Sequence, residues 1–208
     1  MLNHHLEERT LQKRGAFIVI EGLDGSGKTT QARLLVQKLR SKHNAVYTTE
    51  PSHGKIGSFI RESCLYEEKR LDSAAEALLF AADRVEHVQN EVIPALNEGK
   101  LVISDRYVYS SLAYQGSAGL SLSWIEAVNK HALKPDFAIF LDVAPETVLQ
   151  RLNRKKSVME NLETQRGVRE IYLKFVSKGE LVRIDGDRSV AQVSEALYAR
   201  VLKFLETF

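Results

Sequence analysis

The feature of the sequence that most restricts the fold is the segment Gly22-Leu23-Asp24-Gly25-Ser26-Gly27-Lys28-Thr29. It matches the pattern G-x-x-x-x-G-K-[ST] of the phosphate-binding loop, or P-loop. An apolar stretch from Ala16 to Ile20, rich in β-branched and aromatic residues, precedes the segment and predicts a buried strand. Residues 29–42 follow with apolar side chains on one helical face, which predicts a helix. Strand, glycine-rich loop and helix is the order in which this motif binds phosphate.

Each fixed position of the motif has a physical role in holding a phosphate. Glycines let the backbone turn sharply and bring N–H groups close to an anion, and the N-terminus of the next helix adds unpaired donors. Lys28 can reach the β- and γ-phosphates of a nucleotide, and the hydroxyl of Thr29 can bind Mg²⁺. The alternative, a glycine-rich turn without a ligand, is disfavoured by the flanking strand and helix. The predicted contacts to nucleotide phosphates are Gly22, Leu23, Asp24, Gly25, Ser26, Gly27, Lys28, Thr29 and Thr30.

Length and composition restrict the class of protein. A chain of 208 residues with 44% hydrophobic and 27% charged residues is expected to form one domain with a large core. The formal net charge of +2 gives no evidence for a nucleic-acid partner. No apolar stretch approaches the roughly 20 residues that span a bilayer. We therefore expect neither a nucleic acid nor a membrane as a partner.

The beginning of the chain and its cysteine content bear on location. Residues 1–14 are polar and charged and lack the apolar region of a signal peptide. We expect them to be a flexible extension and residues 15–208 to be the folded domain. The single Cys64 cannot form an internal disulfide, which is typical of a reducing compartment. Together these features predict a cytoplasmic protein.

Apolar, strand-like stretches alternate with helical patterns along the rest of the chain. Strands are predicted at 16–20, 45–49, 101–104, 137–141 and 181–184. Helices are predicted at 29–42, 56–65, 73–97, 121–132, from Pro145 onwards, at 163–177 and at 190–205, with Pro94 bending or ending the third. This alternation predicts an α/β fold of the P-loop NTPase type, with a five-stranded parallel sheet and helices on both faces.

Ligands of such a sheet bind beyond the carboxyl ends of its strands. Glu50-Pro51, Asp105-Arg106-Tyr107 and Asp142 follow predicted strands, so we expect them to converge with the glycine-rich loop. Asp105 could orient Mg²⁺, while the planar fork of Arg106 could hold a phosphate. A buried ion pair beside a packed tyrosine is the alternative interpretation of the same residues.

Phe80 and Arg84 allow both a functional and a structural interpretation. They lie four residues apart in a helical pattern, so they share a face and could hold a base and its phosphate. Alternatively, Phe80 is a core residue and Arg84 pairs with Asp83 or Glu86. The acid inside the loop, Asp24, is likewise open to two interpretations, because it could accept a hydrogen bond from a sugar hydroxyl or stabilise the loop itself.

A basic cluster follows the helix that begins at Pro145. It consists of Arg151, Arg154, Lys155 and Lys156. Cations at a helix C-terminus interact favourably with the helix dipole and are commonly solvated. The other interpretation is a short lid, at about residues 151–160, that closes over the γ-phosphate and stabilises charge in the transition state.

Together, these motifs resemble the thymidylate kinase family from about Ala16 to the C-terminus. The segments that carry the resemblance are Glu21–Gln31, Thr49–Pro51, Leu78–Arg84, Asp105–Tyr107, Ser110–Ser111, Ala113–Gln115 and Ile184–Ser189. Each segment occurs in other nucleotide kinases, but their combination in this order is specific. The resemblance implies phosphoryl transfer from MgATP to dTMP, giving ADP and dTDP. It also implies a homodimer.

The resemblance implies roles for residues on the ATP side of the site. Lys28 and the loop amides would hold the ATP phosphates, and Thr29 and Asp105 would hold Mg²⁺. Arg106 would contact the phosphate of dTMP. The implied catalytic residues are Lys28, Asp105, Arg106, Arg151 and Arg154.

The same resemblance assigns the residues that would recognise dTMP. Asp24 would bind the 3′-hydroxyl, and Phe80 would stack on thymine. Arg84 would contact the base and the phosphate, and Ser111 the base. Tyr114 would lie under the sugar and disfavour a 2′-hydroxyl. The implied contacts to dTMP are Asp24, Glu50, Pro51, Phe80, Arg84, Arg106, Ser111, Tyr114 and Gln115.

The chain departs from many members of the family in two places. Ser52-His53-Gly54-Lys55 stands where many relatives have a glycine-rich segment, and residues 157–160 lack the acid–arginine pair of many bacterial relatives. The glycine-rich loop has no basic residue between Leu23 and Ser26, so the chain resembles the members that carry their extra cations in the lid. Which lid cation acts is left open.

Three other functions remain alternatives at this point. A kinase for another nucleotide or nucleoside would keep the same fold. A GTPase-type switch would require Asn-Lys-x-Asp, whereas the chain has Asn129-Lys130-His131-Ala132. A silent nucleotide-sensing protein is disfavoured by the presence of Lys28, Asp105 and Arg106 together.

Overall fold

Five strands form one parallel sheet in the computed structural model, which describes residues 14–63, 71–152 and 161–208. Their order across the sheet is β2-β3-β1-β4-β5, and every neighbouring pair is parallel. The strands are β1 (Phe17–Gly22), β2 (Ala45–Thr49), β3 (Leu101–Asp105), β4 (Phe137–Asp142) and β5 (Val182–Asp185). The predicted fold class is confirmed, and the structure extends β1, β3, β4 and β5 toward their carboxyl ends.

The side chains of β1 alternate between two hydrophobic layers. Phe17 and Val19 pack with buried residues of the helices on one face, and Ile18 and Ile20 pack with those on the other. All four are fully buried, as expected of the central strand of a sheet that is covered on both sides. This strand therefore fixes the glycine-rich loop to the buried centre of the sheet.

Nine α-helices and one π-helical turn cover the sheet in the described residues. The helices are α1 (Lys28–Leu39), α2 (Lys55–Ser63), α3 (Ser73–His87), α4 (Ile93–Asn97), α5 (Val108–Ser117), α6 (Leu122–Val128), α7 (Pro145–Arg151), α8 (Leu162–Ser177) and α9 (Val190–Leu205). Helices α1 and α9 lie on one face, and α5 and α8 on the other. Among the described helices, none is long and apolar enough to cross a membrane.

The helices differ from the sequence prediction at four points. Helix α1 ends at Leu39, three residues before the predicted end. The predicted helix 73–97 is interrupted by a π-helical turn, Val88–Val92, and Pro94 lies in the first turn of α4, directly after that turn. Helix α5 was not predicted, because Val108–Ser117 contains tyrosines, serines and a glycine in place of a simple apolar stripe. Helix α6 ends at Val128, four residues before the predicted end.

Parts of three predicted regions lie outside the described residues. They are residues 1–13 of the predicted extension, residues 64–65 of the predicted helix 56–65, and residues 153–160 of the predicted lid, which contain Arg154, Lys155 and Lys156.

Candidate active site

The glycine-rich loop connects the end of β1 at Gly22 to the start of α1 at Lys28. Gly27 is the N-cap of α1 with φ 94°, a left-handed conformation that glycine adopts without strain. The backbone N–H of Ser26 donates to the carbonyl of Leu23 (3.1 Å) and closes the turn. The buried Lys28 donates from Nζ to the same carbonyl (2.7 Å). The lysine side chain therefore folds back over the loop that precedes it.

Burial disfavours the charged form of Lys28. It lowers the pKa of the ammonium group to about 8, and the positive charge of Arg106 adds to this effect. The carboxyl groups of Asp24, Asp105 and Glu21 oppose it. An anionic phosphate beside Lys28 would favour the charged form further, because an opposite charge at close range stabilises it.

Asp105 and Thr29 provide oxygen atoms that fit Mg²⁺. The hydroxyl of Thr29 donates to Oδ2 of Asp105, at the end of β3. Asp105 is only 4% exposed, and its buried Oδ1 has no hydrogen-bond partner among the described residues. No described group of three or more His, Cys, Asp or Glu side chains could hold a metal ion. Thr29 and Asp105 suit Mg²⁺ because this ion commonly binds to one or two carboxylates together with phosphates and water.

Arg106 follows β3 in an unusual backbone conformation. Its φ of 73° makes it the one non-glycine residue with positive φ in the described part of the chain. This conformation costs roughly 1–2 kcal/mol for a residue with a Cβ atom. Strained residues of this kind cluster at functional sites, where the surrounding structure holds them in place.

The guanidinium of Arg106 binds to the glycine-rich loop. Its Nη2 pairs with Oδ1 of Asp24 (2.5 Å), and its Nη1 donates to Oγ of Ser110 (3.0 Å). The group lies over the ring of Tyr114, 5.0 Å from the centroid. Burial opposes ionisation of Asp24, but the charges of Arg106 and Lys28 outweigh burial and lower the pKa of Asp24 to about 2. Both members of the pair are partly exposed (18% and 30%), so a ligand can reach them.

Arg84 lies at the centre of a buried polar network. It donates to Oε2 of Glu50 from Nε (2.9 Å) and Nη2 (2.7 Å), and also to Oδ1 of Asn129 and Oγ of Ser111. The partner of Arg84 is thus Glu50, and the predicted alternative of Asp83 or Glu86 is wrong.

Asp83 and Glu86 have other partners near the start of α2. Asp83 accepts from the backbone N–H and the hydroxyl of Ser52, and Glu86 accepts from the N–H of Ile56. Phe80, one turn before Arg84 on α3, is half-buried. A partly accessible ring therefore lies beside a fixed arginine.

Helix α5 brings Ser111, Tyr114 and Gln115 to the site as buried residues. The hydroxyl of Tyr114 accepts from the N–H of Asp24 (3.0 Å) and donates to Oδ2 of the same residue (3.2 Å). Tyr114 therefore connects α5 to the glycine-rich loop. The Oε1 of Gln115 is buried and has no hydrogen-bond partner in the described part of the chain.

Comparison with known proteins agrees with this geometry. A family model described as Thymidylate kinase matches residues 20–197. The chain belongs to the thymidylate kinase family. It is 47% identical to a probable thymidylate kinase of Pyrococcus horikoshii, over 82% of this chain and 87% of the relative. It is 44% identical to one of Pyrococcus abyssi (90% and 96%) and 43% identical to one of Pyrobaculum aerophilum (91% and 99%).

In this member of the thymidylate kinase family, the base of the predicted lid borders the glycine-rich loop. A Cβ atom on Gly25, whose φ is 85°, would lie 3.0 Å from the carbonyl oxygen of Val148 and 3.1 Å from Leu152. Helix α7 therefore packs directly on the loop. Arg151, at its end, is 39% exposed and pairs weakly with Asp187 (3.7 Å).

The remaining strand-end residues have partners of their own. Asp142, at the end of β4, is bound by Arg169 (2.7 and 3.0 Å) and Arg183 (2.7 Å), so its carboxylate is already neutralised. Pro51 follows Glu50 directly after β2, and its carbonyl accepts from Arg61.

Several polar residues of this site were given no role on the basis of the sequence. They are Glu21, Thr48, His87, Ser110, Asn129 and Tyr172. His87 bridges Thr48 (2.6 Å) and Glu50 (3.1 Å) beneath Arg84. Of these residues, Glu21 is the one that the sequence could have revealed, because it is an acid at the end of an otherwise apolar strand.

Proposed function

We propose that this chain transfers the γ-phosphoryl group of MgATP to dTMP, giving dTDP and ADP. The observation that carries the proposal is the strained Arg106, held against Asp24 of the glycine-rich loop. A phosphate-binding arginine beside a loop for nucleotide phosphates is the arrangement needed to bring two phosphates together. Membership of the thymidylate kinase family and the names of the relatives support dTMP as the acceptor.

Lys28 and the backbone N–H groups of Gly22 to Thr30 would hold the ATP phosphates. Thr29 and Asp105 would hold Mg²⁺, which when bound neutralises phosphate charge. The unpaired Oδ1 of Asp105 supports this assignment. The buried Lys28, folded over the loop, supports a role as a positive charge that needs little reorganisation during transfer.

On the acceptor side, Arg106 would bind the phosphate of dTMP and Phe80 would stack on thymine. Arg84 and Ser111, whose Nη2 and Oγ lie 3.2 Å apart, would contact the base. Tyr114, which is buried under Asp24, would restrict the space at the 2′ position. Asp24 would bind the 3′-hydroxyl. Glu50, Pro51 and Gln115 complete the proposed dTMP site.

The acceptor is already an anionic phosphate, so the reaction needs no strong general base. Its difficulty is the repulsion between two anions, which Lys28, Arg84 and Arg106 would offset. Arg151 borders the loop and would join Arg154 of the lid in stabilising the transferred group. A closed lid would also keep water from intercepting it.

The experiment that tests this function measures ADP release from MgATP with a panel of acceptors. The panel contains dTMP, dUMP, dCMP, dGMP and UMP, with a control that has no acceptor. We expect a strong preference for dTMP. Faster turnover of another acceptor would overturn the base assignment, and ADP release that ignores the acceptor would overturn the kinase proposal.

Assembly as a homodimer and location in the cytoplasm stay predictions. Sedimentation equilibrium tests the first, with a mass of twice 23.5 kDa as the expected result and a monomeric mass as the contrary one.

A further inference from the structure

Glu21 is a buried acid for which the proposed reaction has no role. It lies near the end of β1, directly before the glycine-rich loop, and is 0% exposed. Burial raises the pKa of its carboxyl to about 7, although hydrogen bonds and nearby positive charges act in the opposite direction. Burying such a group is costly unless its oxygens are fully hydrogen-bonded.

Four donors meet the carboxyl group of Glu21. Its Oε1 accepts from the backbone N–H groups of Tyr107 (2.9 Å) and Ser110 (3.2 Å). Its Oε2 accepts from the hydroxyls of Ser110 (2.6 Å) and Tyr172 (3.0 Å). The arrangement joins β1 to the loop after β3 and to α8.

Two of these donors are the N-terminal amides of α5. Tyr107 is the N-cap of α5, and its own side chain makes no capping hydrogen bond. Ser110 is the third residue of the helix. In a capping box, two side chains of the helix satisfy the N-cap and N3 amides. Here one carboxyl group from a neighbouring strand satisfies both.

The same contacts reach Arg106, the residue directly before the N-cap. Oγ of Ser110 donates to Glu21 and accepts from Nη1 of Arg106 (3.0 Å). Glu21 itself has no direct hydrogen bond to Arg106 among those described. Ser110 is thus the link between the carboxyl group and the guanidinium.

We propose that Glu21 is a positioning residue that caps α5 from β1 and, through Ser110, holds the Arg106 guanidinium in place for the acceptor phosphate. The strand that carries the glycine-rich loop and the arginine for the acceptor are thereby joined as one unit. The inference rests on the proposed function, since it takes Arg106 to be the residue that contacts the acceptor phosphate.

The test uses three variants of the full chain that separate the contacts. Glu21→Gln replaces one acceptor atom with a donor, and Ser110→Ala removes the link while leaving the amides capped. Tyr172→Phe is the comparison variant. It removes a donor to the same Oε2 and a contact with Oγ of Ser110 (3.1 Å), but it leaves the hydrogen bond between Arg106 and Ser110 in place. Thermal unfolding shows whether each variant is folded.

We expect kcat/KM for dTMP to fall by about 100-fold in Glu21→Gln and about tenfold in Ser110→Ala, with KM for ATP unchanged in Ser110→Ala. Tyr172→Phe should stay within about threefold of the wild type. In an Arg106→Ala background, Ser110→Ala should have no further effect, because both changes remove the same interaction. The proposal would be wrong if the effects of Ser110→Ala and Arg106→Ala on kcat/KM were additive, or if Tyr172→Phe abolished activity.

A second measurement tests the positioning role of Glu21 even if the protein turns over no acceptor. The ¹⁵N–¹H resonance of the Arg106 Nε, assigned with Arg106→Lys, reports the environment of the guanidinium directly. It should shift in Glu21→Gln and Ser110→Ala, and it should shift less in Tyr172→Phe, which keeps the bond between Arg106 and Ser110. An unchanged resonance in the two folded variants would refute the positioning role, whereas an inactive wild type would refute only the proposed function.

Discussion

The molecule contains two arginine–carboxylate pairs that share the same chemistry and differ in accessibility. Arg84 and Glu50 are 1% and 3% exposed, and Asn129 and Ser111 accept further hydrogen bonds from the same arginine. Arg106 and Asp24 are 18% and 30% exposed. The first pair is closed inside the protein and the second opens toward the predicted ligand. Since only an accessible pair can exchange its partner for a phosphate, the two pairs suit different tasks.

The backbone conformations of the two arginines also differ. Arg84 lies in the regular helix α3, whereas Arg106 adopts φ 73° just after β3. Arg84 is held by its helix and by all its hydrogen-bond partners, so its position is fixed. A strained arginine at a strand end is held only by its neighbours, so its position depends on contacts such as those of Ser110 and Asp24.

The largest effect is expected from breaking the closed pair. Glu50→Gln would leave the charge of Arg84 buried without its counterion, which costs roughly 3–5 kcal/mol of unfolding free energy. Urea denaturation measures this loss. The control is Glu195→Gln in the exposed Lys38–Glu195 pair, whose acid is 72% exposed and whose loss should cost less than about 1 kcal/mol. Equal losses of unfolding free energy in Glu50→Gln and Glu195→Gln would show that burial does not determine how much these ion pairs contribute to stability.

Breaking the open pair should affect activity more than stability. Arg106→Ala is expected to lower kcat/KM for dTMP by about 10²–10³-fold, or about 3–4 kcal/mol, because it removes a donor to the reacting phosphates. Steady-state kinetics with varied dTMP measures this loss. Arg106→Lys keeps the charge without the planar fork and should recover only part of it.

Arg106→Gly separates strain from chemistry. It should be as inactive as Arg106→Ala but at least as stable, because glycine tolerates φ 73°. A protein with glycine is ordinarily about 0.4–1 kcal/mol less stable than one with alanine, because glycine gives the unfolded chain more conformational freedom. At a position with positive φ, the strain on alanine cancels or reverses this difference in stability. A clearly more stable Arg106→Ala would show that the backbone relaxes there in solution.

The closed and open pairs also show what the sequence could reveal. Apolar runs predicted the five strands, because a strand buried on both faces has few polar residues. The positions of Asp105 and Arg106 followed from the strand ends. The partner of Arg84 could not be predicted, since Glu50 lies 34 residues away and is joined to Arg84 only by the packing of α3 beside β2.

Helix α5 and its cap were missed for a related reason. The cap of α5 is supplied by Glu21, 86 residues before Tyr107, and not by a Ser, Thr, Asp or Asn at the N-cap itself. Local capping rules therefore gave no start signal at Tyr107. Tertiary hydrogen bonds replaced the local ones, and they are the same bonds that connect to Arg106.

Glu21 should give stability a pH dependence of its own. Its folded pKa of about 7 lies above the ordinary glutamate value of 4.5, so the folded state binds the proton more tightly. Its contribution is fully present below pH 4.5 and is lost as the pH rises through 7. The change is on the order of 3 kcal/mol. Arg106, Lys28, Tyr172 and Tyr109 face this carboxyl group and interact with it.

Comparison with Glu21→Gln isolates this contribution, because every other titrating group is present in both proteins. Urea denaturation from pH 4 to 8 should show a wild-type free energy that falls relative to the variant. A constant difference would mean that Glu21 has the same pKa in the folded and unfolded chains, so that its donors and the nearby positive charges offset burial.

Asp24, three residues further along the chain, should show the opposite dependence and a smaller effect. Its folded pKa of about 2 lies below the ordinary aspartate value of 3.8, because the charges of Arg106 and Lys28 outweigh burial. Its contribution is therefore present above pH 3.8 and is lost as the pH falls through 2. Partial exposure screens the open pair, so the loss is on the order of 2 kcal/mol or less. Asp24→Asn should be less stable than the wild type at pH 6 and equal to it near pH 2. If the two curves stay parallel under acid titration, the ion pair with Arg106 contributes nothing in the free protein, and the guanidinium is already available to a phosphate.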